Sequence, residues 1–184
     1  MNGLKVNAQK TQIIFLGNRQ NIAKIPNEIK INFDGNLIEP SKVVKNLGVY
    51  MDCHMSFDKH IDEMHKKTMG TLIFLNHIKD KIDKETRVLI VQSLALGIIN
   101  YCCKIWGSAC KTQLHRVQKL QNFAAKIATG NGKKYDRATP HINLLKWLKI
   151  EQKYLFDICI MIYKTINKET PTWLLSFPTV GEVV

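Results

Sequence analysis

At 184 residues and 45% apolar content, the chain can bury a core without disulfides or metals, and no apolar run approaches the roughly 18 to 20 residues of a membrane span. Its five cysteines, odd in number and irregular in spacing, argue against a disulfide framework and for a reducing compartment, and residues 1–6 lack the apolar stretch of a secretory signal. Net charge is +12; residues 104–153 hold eleven basic and two acidic residues, net +9, a concentration that suits a polyanion, nucleic acid above all.

The first half predicts strands. Asn7-Ala8-Gln9-Lys10 reads as a polar turn and 11–17 as a β-rich run closed by Gly17. Ile29, Ile31 and Phe33 alternate with polar residues, Asp34-Gly35 suits a tight turn with positive φ, and Leu37-Ile38 returns until Pro40. Residues 43–51 predict a third strand, with Gly48 marking a bulge or a close backbone approach. The second half predicts helices. Ser56 is the expected N-cap of a helix with Ile61, Met64, Thr68, Leu72, Leu75 and Ile78 on one face. Asp83 caps the next, whose residues 88–99 are apolar on all sides, as in a central buried helix running to Trp106-Gly107. A third starts near Lys111 with an inner stripe of Leu114, Val117, Leu120, Ala124 and Ile127, and stops at Gly130 and Gly132. Thr139-Pro140 predicts an N-cap with proline at the first helical position. After a break near Ile150, a stripe of Leu155, Ile158, Ile162 and Ile166 predicts a last helix ended by Pro171, then an apolar plug, Trp173-Leu174-Leu175. The fold class is α+β: a small N-terminal antiparallel sheet, then a mainly helical bundle. The expected divisions are 1–55, 56–177 and a loose tail, 178–184.

Several residue groups invite chemistry and do not sustain it. Cys102, Cys103, Cys110 and His115 match no standard zinc spacing and read as apolar fillers. Cys53-His54 has no orienting partner for nucleophilic catalysis. Gly130-Asn131-Gly132 follows a helix rather than opening one, so it is no phosphate loop. Trp106, Trp147 and Trp173 sit among leucine and isoleucine and read as packing residues. The cations Lys111, His115, Arg116, Lys119 and Lys126 fall mostly opposite the stripe of the third helix, and Lys133, Lys134 and Arg137 extend the patch. Such a surface tracks phosphates without reading bases, and Tyr135 could stack on a base. The bland alternative is a solvated basic face.

A family resemblance runs through the same residues. Leu4-Lys5-Val6-Asn7-Ala8-Gln9-Lys10-Thr11-Gln12, then Lys45-Asn46-Leu47-Gly48-Val49, Trp106-Gly107, Leu120-Gln121-Asn122-Phe123-Ala124-Ala125-Lys126-Ile127, Leu145-Lys146-Trp147-Leu148-Lys149-Ile150 and Pro171-Thr172-Trp173-Leu174 occur in the order found in the reverse transcriptases of non-LTR retrotransposons of the jockey-like kind. The chain resembles the region past their catalytic aspartates. The resemblance implies a palm edge with a primer-grip-like strand in 1–55, where Lys45 and Asn46 would touch the primer, and a thumb with its extension in 56–177. It implies an RNA template, a DNA primer and the upstream polymerase segment as partners and an intracellular place in nucleus and cytoplasm; no membrane is expected, for want of a long apolar run. It also implies Mg2+ in the parent enzyme, bound outside this segment.

The departure from the family pattern concerns catalysis. Phosphoryl transfer needs clustered carboxylates to hold two divalent ions, and no two aspartates are adjacent anywhere in the chain. Asp52, Asp58 and Asp62 are spread over a turn and a helix, where capping is their expected work. The expected function is a reverse transcriptase fragment that holds template and primer, with no catalytic and no metal-binding residues of its own. The alternatives are a functionless relic of a decayed element, and a basic helical module for an acidic protein.

Overall fold

The structure, a computed structural model, describes residues 7, 10–26, 28–33, 35–130 and 135–171. The motif residues Leu4 to Val6, Ala8, Gln9, Asp34, Gly132, Lys133, Lys134, Trp173, Leu174, Leu175 and the tail 178–184 lie outside them. Strand β1 (Ile31–Phe33) pairs antiparallel with β2 (Asn36–Ile38), Ile31 facing Ile38. Gly35, at φ 78°, supplies the left-handed turn between them. The predicted third strand is instead a second hairpin. Chain 43–51 breaks into β3 (Val43–Asn46) and β4 (Val49–Asp52), with Val44 opposite Met51. Leu47 and Gly48 both take positive φ, 44° and 86°, which is what a two-residue turn between twisted strands demands. Gly48 is therefore a turn residue and not a bulge. Where a single small sheet is expected, the described residues form two separate two-stranded sheets.

Residues 11–17 form no strand. They meet the second hairpin through isolated bonds, Ser41 N–H donating to the Ile13 carbonyl at 2.7 Å and Gly17 N–H to the Cys53 carbonyl at 3.0 Å, without a ladder. A short helix, α1 (Arg19–Ala23), follows unannounced, its Asn18 side chain accepting from Asn21 N–H.

Helix α2 (Asp58–Ile78) buries Ile61, Met64, Thr68, Leu72 and Leu75, as the periodicity predicts. Its N-cap is not Ser56. Phe57 holds that place at φ 61°, without a side-chain cap and with its ring buried. The Asp52 carboxylate does the organising: it accepts from the N–H groups of His54 (3.0 Å), Ser56 (3.1 Å) and Phe57 (2.8 Å) and from the Ser56 hydroxyl (3.0 Å). Asp83 caps α3 (Lys84–Ile90) by accepting from Thr86 N–H. The helix continues as one widened π-helical stretch, Val91–Leu96, and as α4 (Gly97–Asn100). It is not buried all round: Val91, Ala95, Leu96 and Ile99 face the core, whereas Leu89 and Leu94 face solvent. It ends at Asn100 and not at Trp106, because Cys102 (φ 51°) reverses the chain into the separate α5 (Cys103–Trp106).

Helix α6 (Lys111–Thr129) buries its predicted stripe and stops at Gly130, φ 79°. Arg87 locks its end to the start of α3, donating to the carbonyls of Ala128 (3.1 Å), Lys79 (2.7 Å) and Ile82 (3.3 Å). Helix α7 (Thr139–Leu144) starts one residue earlier than predicted, with Ala138 as N-cap and Pro140 inside the first turn. Helix α8 (Ile150–Ile166) ends before Pro171, and its predicted stripe is not its packed side. Leu155, Ile162 and Ile166 are exposed, and Ile150 is its one buried residue. The core gathers on Trp106, Ile61, Leu72, Val91, Ile99, Leu120 and Ile127, each contributing about 1.5–3 kcal/mol by burial. Trp147 packs at its edge. No helix among the described residues is long and apolar enough to cross a membrane.

Candidate nucleic-acid interface

The β3–β4 hairpin, one face of α2 and the π-helical stretch with α4 enclose a groove of about 780 Å³. His60, Met64, Lys67 and Thr71 line one wall because three- and four-residue steps return to one side of a helix. Lys45 and Tyr50 come from the hairpin, on facing residues of β3 and β4. Leu94 comes from the π-helical stretch, a local widening found often at functional sites. Tyr101 ties the parts together, its hydroxyl donating to the Leu47 carbonyl at 2.6 Å. At Gly48 an added Cβ would stand 3.4 Å from the Tyr101 ring. The hairpin tip is thereby fixed over the helices rather than free.

The electrostatics of the groove are cationic at the rim. The Nζ atoms of Lys45 and Lys59 lie 5.0 and 5.4 Å from the centroid of the Tyr50 ring, within reach of its negative face. Lys67 lines the groove and is exposed, while Glu63 is engaged by Lys66 at 3.2 Å. His60 is 7% exposed, its Nε2 has no hydrogen-bond partner, and its ring lies 6.3 Å from that of Trp106. Burial holds its pKa below the usual imidazole value, which favours a neutral ring at physiological pH.

Of the nine residues predicted to meet nucleic acid, the seven that are described do not share one surface. Lys45 lines the groove, and Asn46 ends β3 exposed at the turn. Lys111 and Lys119 are exposed on α6. Arg116 on the same helix is occupied: it pairs with Asp62 of α2 at 2.8 Å and donates to Gln113 at 2.7 Å, while Gln113 reaches Asp58 at 2.5 Å. Asp62 lies two residues from His60, roughly 200° round α2, so this clamp and the groove occupy opposite sides of that helix. Lys126 is half-buried in the last turn of α6. Arg137 and Tyr135 are exposed beyond it, Tyr135 at 90%. Lys133 and Lys134 lie outside the described residues. Sequence reasoning missed Lys59, Lys67, Tyr50 and Tyr101. The spacing of Lys59, Glu63 and Lys67 along one predicted helix was a signal for the first two, but only the hairpin set Lys59 against Tyr50 and closed the groove that Lys67 lines.

The carboxylates at hand do not suit a pair of divalent ions. Asp52 is saturated by N–H groups and a hydroxyl, Asp58 is engaged by Gln113, and Asp62 is paired with Arg116. Among the described residues no three His, Cys, Asp or Glu gather as a metal site. Cys103 is buried, which pushes its thiol up to about 11, while Cys110 and Cys159 are exposed.

No protein-family model and no solved structure match the chain. Known proteins do. The probable RNA-directed DNA polymerase from transposon X-element of Drosophila melanogaster is 28% identical over 89 residues, 47% of this chain and 10% of that protein. The RNA-directed DNA polymerase from mobile element jockey of the same fly is 23% identical over 130 residues, 69% of this chain and 14% of that protein. Its counterpart in Drosophila funebris is 22% identical over 94 residues, 50% of this chain and 10% of that protein. The chain thus matches between a tenth and a seventh of the length of these relatives. Its homologues include the RNA-directed DNA polymerases of the X-element and jockey mobile elements, as the jockey-like resemblance of its motifs implied.

Proposed function

We propose that this chain is the template–primer-holding part of a jockey-like reverse transcriptase, and that it does not polymerise by itself. The observation that carries the reading is the groove between hairpin and α2, which Lys45 and Lys67 line and where Lys45 and Lys59 stand over the Tyr50 ring. Lysines of this kind neutralise phosphates, and the apolar Leu94 and Tyr101 behind them suit sugars and bases. Leu47 supports it further: an exposed leucine held at φ 44° on the hairpin tip is a local cost that contact with a partner would offset. Metal-dependent chemistry belongs to carboxylates outside this segment, since the aspartates near the hairpin already have partners.

The test is binding of a labelled RNA–DNA hybrid, followed by fluorescence anisotropy across a salt series, for the native chain and for Lys45→Gln/Lys59→Gln/Lys67→Gln. Each phosphate that is no longer neutralised lowers the magnitude of the slope of log K against log salt by about 0.9 on a duplex, so the triple variant should bind more weakly with a flatter slope. Unchanged affinity and slope in a folded variant refute the groove as the interface. Nucleotide incorporation by the native chain on a primed RNA with magnesium refutes the second half of the proposal. A second reading, in which α6 binds an acidic protein, draws on the position of Lys111 and Lys119 away from the groove.

A further inference from the structure

A second cleft, of about 320 Å³, shares the π-helical stretch with the groove but none of its lining residues. Gln92, Leu96 and Asn100 reach it from the π-helical stretch and α4, at steps of four residues that return to one side of the helix. The loop between α7 and α8 supplies Lys146 and Trp147, and α8 supplies Lys153. That loop is held at both ends. Helix α7 closes in a Schellman motif, with Lys146 N–H donating to the Asn143 carbonyl at 3.0 Å and Trp147 N–H to the Ile142 carbonyl at 3.1 Å. Gln121 of α6 donates to the Leu148 carbonyl at 2.8 Å, and Ile150 N–H donates to the Gln118 side chain at 3.0 Å. Lys146 takes the left-handed place of the motif, φ 53°, where glycine is the favoured residue. A lysine kept there is a local cost, of the kind that clusters at ligand sites.

The polar groups of the cleft are rich in unused donors. Among the described residues no hydrogen bond or ion pair engages the side chains of Gln92, Asn100 or Lys146. Trp147 Nε1 is buried without a hydrogen-bond partner, and a buried donor of that kind calls for an acceptor. Lys153 is held by Asp157 at 2.5 Å, so Lys146 carries the free charge. Among the described residues no carboxylate lines the cleft.

We propose that this cleft is a phosphate-binding site, which takes a phosphate group of a nucleic-acid strand or of a free phosphomonoester. A phosphate brings three strong acceptor oxygens to the ammonium, the two amides and the indole N–H, and the segment 104–153, net +9, attracts its charge. The strand as source rests on the groove being the nucleic-acid interface, because a strand lying there reaches the cleft by crossing the π-helical stretch. The free phosphomonoester needs no such contact.

The indole N–H signal of Trp147 in a proton–nitrogen correlation spectrum, assigned by its loss in Trp147→Phe, reads the site directly. Inorganic phosphate should move that signal to saturation, whereas chloride and acetate at equal ionic strength should not. Lys146→Gly should raise the phosphate dissociation constant about tenfold, the loss of one charge-assisted contact. The same variant should melt no lower than the native chain, since glycine is favoured at that backbone position, so unfolding does not account for the loss. An RNA–DNA hybrid with a single-stranded RNA overhang separates the sources: movement of the Trp147 signal by the hybrid supports the site with the strand as its source, and movement by inorganic phosphate alone supports it with a free phosphomonoester. A signal unmoved by both overturns the proposal. An equal response to acetate overturns it in favour of a carboxylate site for an acidic peptide, and an unchanged dissociation constant in Lys146→Gly overturns it as well. Lys45→Gln/Lys59→Gln/Lys67→Gln should lose hybrid affinity and keep the phosphate titration, so a failure of the groove and a failure of the cleft are told apart.

Discussion

Replacing Arg87 with alanine should destabilise the bundle by about 2–3 kcal/mol. Its guanidinium bonds to two carbonyls at 2.7 and 3.1 Å and a third at 3.3 Å, which come from the turn between α2 and α3 and from the end of α6. Arg87 is half-buried, so water can reach the abandoned carbonyls, and about 1 kcal/mol net per bond is the appropriate scale rather than the full charged value. The long bond counts for less, and removal of the alkyl stem adds a little. In urea, with a slope of about 2 kcal/mol/M, the midpoint should fall by roughly 1 to 1.5 M at unchanged slope. Arg87→Lys should recover only part of this, because one ammonium cannot reach three carbonyls in different directions. Gly130 supplies a coupling test. It sits at φ 79°, and a Cβ there would strike the Arg87 guanidinium. Gly130→Ala should therefore cost more in the native chain than in Arg87→Ala, where only the left-handed backbone cost of about 1–2 kcal/mol remains. A midpoint shift below about 0.3 M for Arg87→Ala, or strict additivity with Gly130→Ala, would refute the clamp.

Burial raises the pKa of Asp52, and the N–H groups of Ser56, Phe57 and His54 with the Ser56 hydroxyl more than offset it, so the folded carboxyl titrates below its ordinary 3.8. A depressed folded pKa means stability that is present above the ordinary value and lost as pH falls through the folded one. Asp52→Asn should thus cost about 1 kcal/mol at neutral pH, discounted for its partly solvated position. The difference in urea midpoint from the native chain should begin to shrink as pH falls past 3.8 and vanish once it has fallen through the lower folded value; a gap unchanged through strong acid would contradict this. Leu47→Gly should raise stability by up to about 1 kcal/mol, because relief of a left-handed leucine, about 1–2 kcal/mol, exceeds the roughly 0.5–1 kcal/mol that glycine costs in unfolded-chain entropy, while weakening hybrid binding if the tip touches the duplex; thermal unfolding and anisotropy separate the two. Lys111→Gln/Lys119→Gln should leave hybrid affinity and salt slope unchanged if the groove is the interface, and a marked fall in both would move the interface to α6.

The α+β order, the stripes of α2 and α6, the Asp83 cap and the stop at Gly130 were legible in the sequence, because each is set by residues a turn or less apart. The order of short phrases also carried the kinship to the jockey polymerases, since motif order survives at identities of 22–28%. What depends on distant partners was not legible. Residues 11–17 have strand composition but meet only isolated bonds, and composition cannot supply a neighbouring edge. The run 43–51 reads as one strand until Tyr101, more than fifty residues away, holds Leu47 in a turn. Arg116 looked like a free phosphate ligand, yet tertiary structure commits it to Asp62. Lys45 and Lys67 come to line one groove, and Lys59 to face Tyr50, only because a hairpin folds across α2, and a charge counted along the chain carries no direction in space.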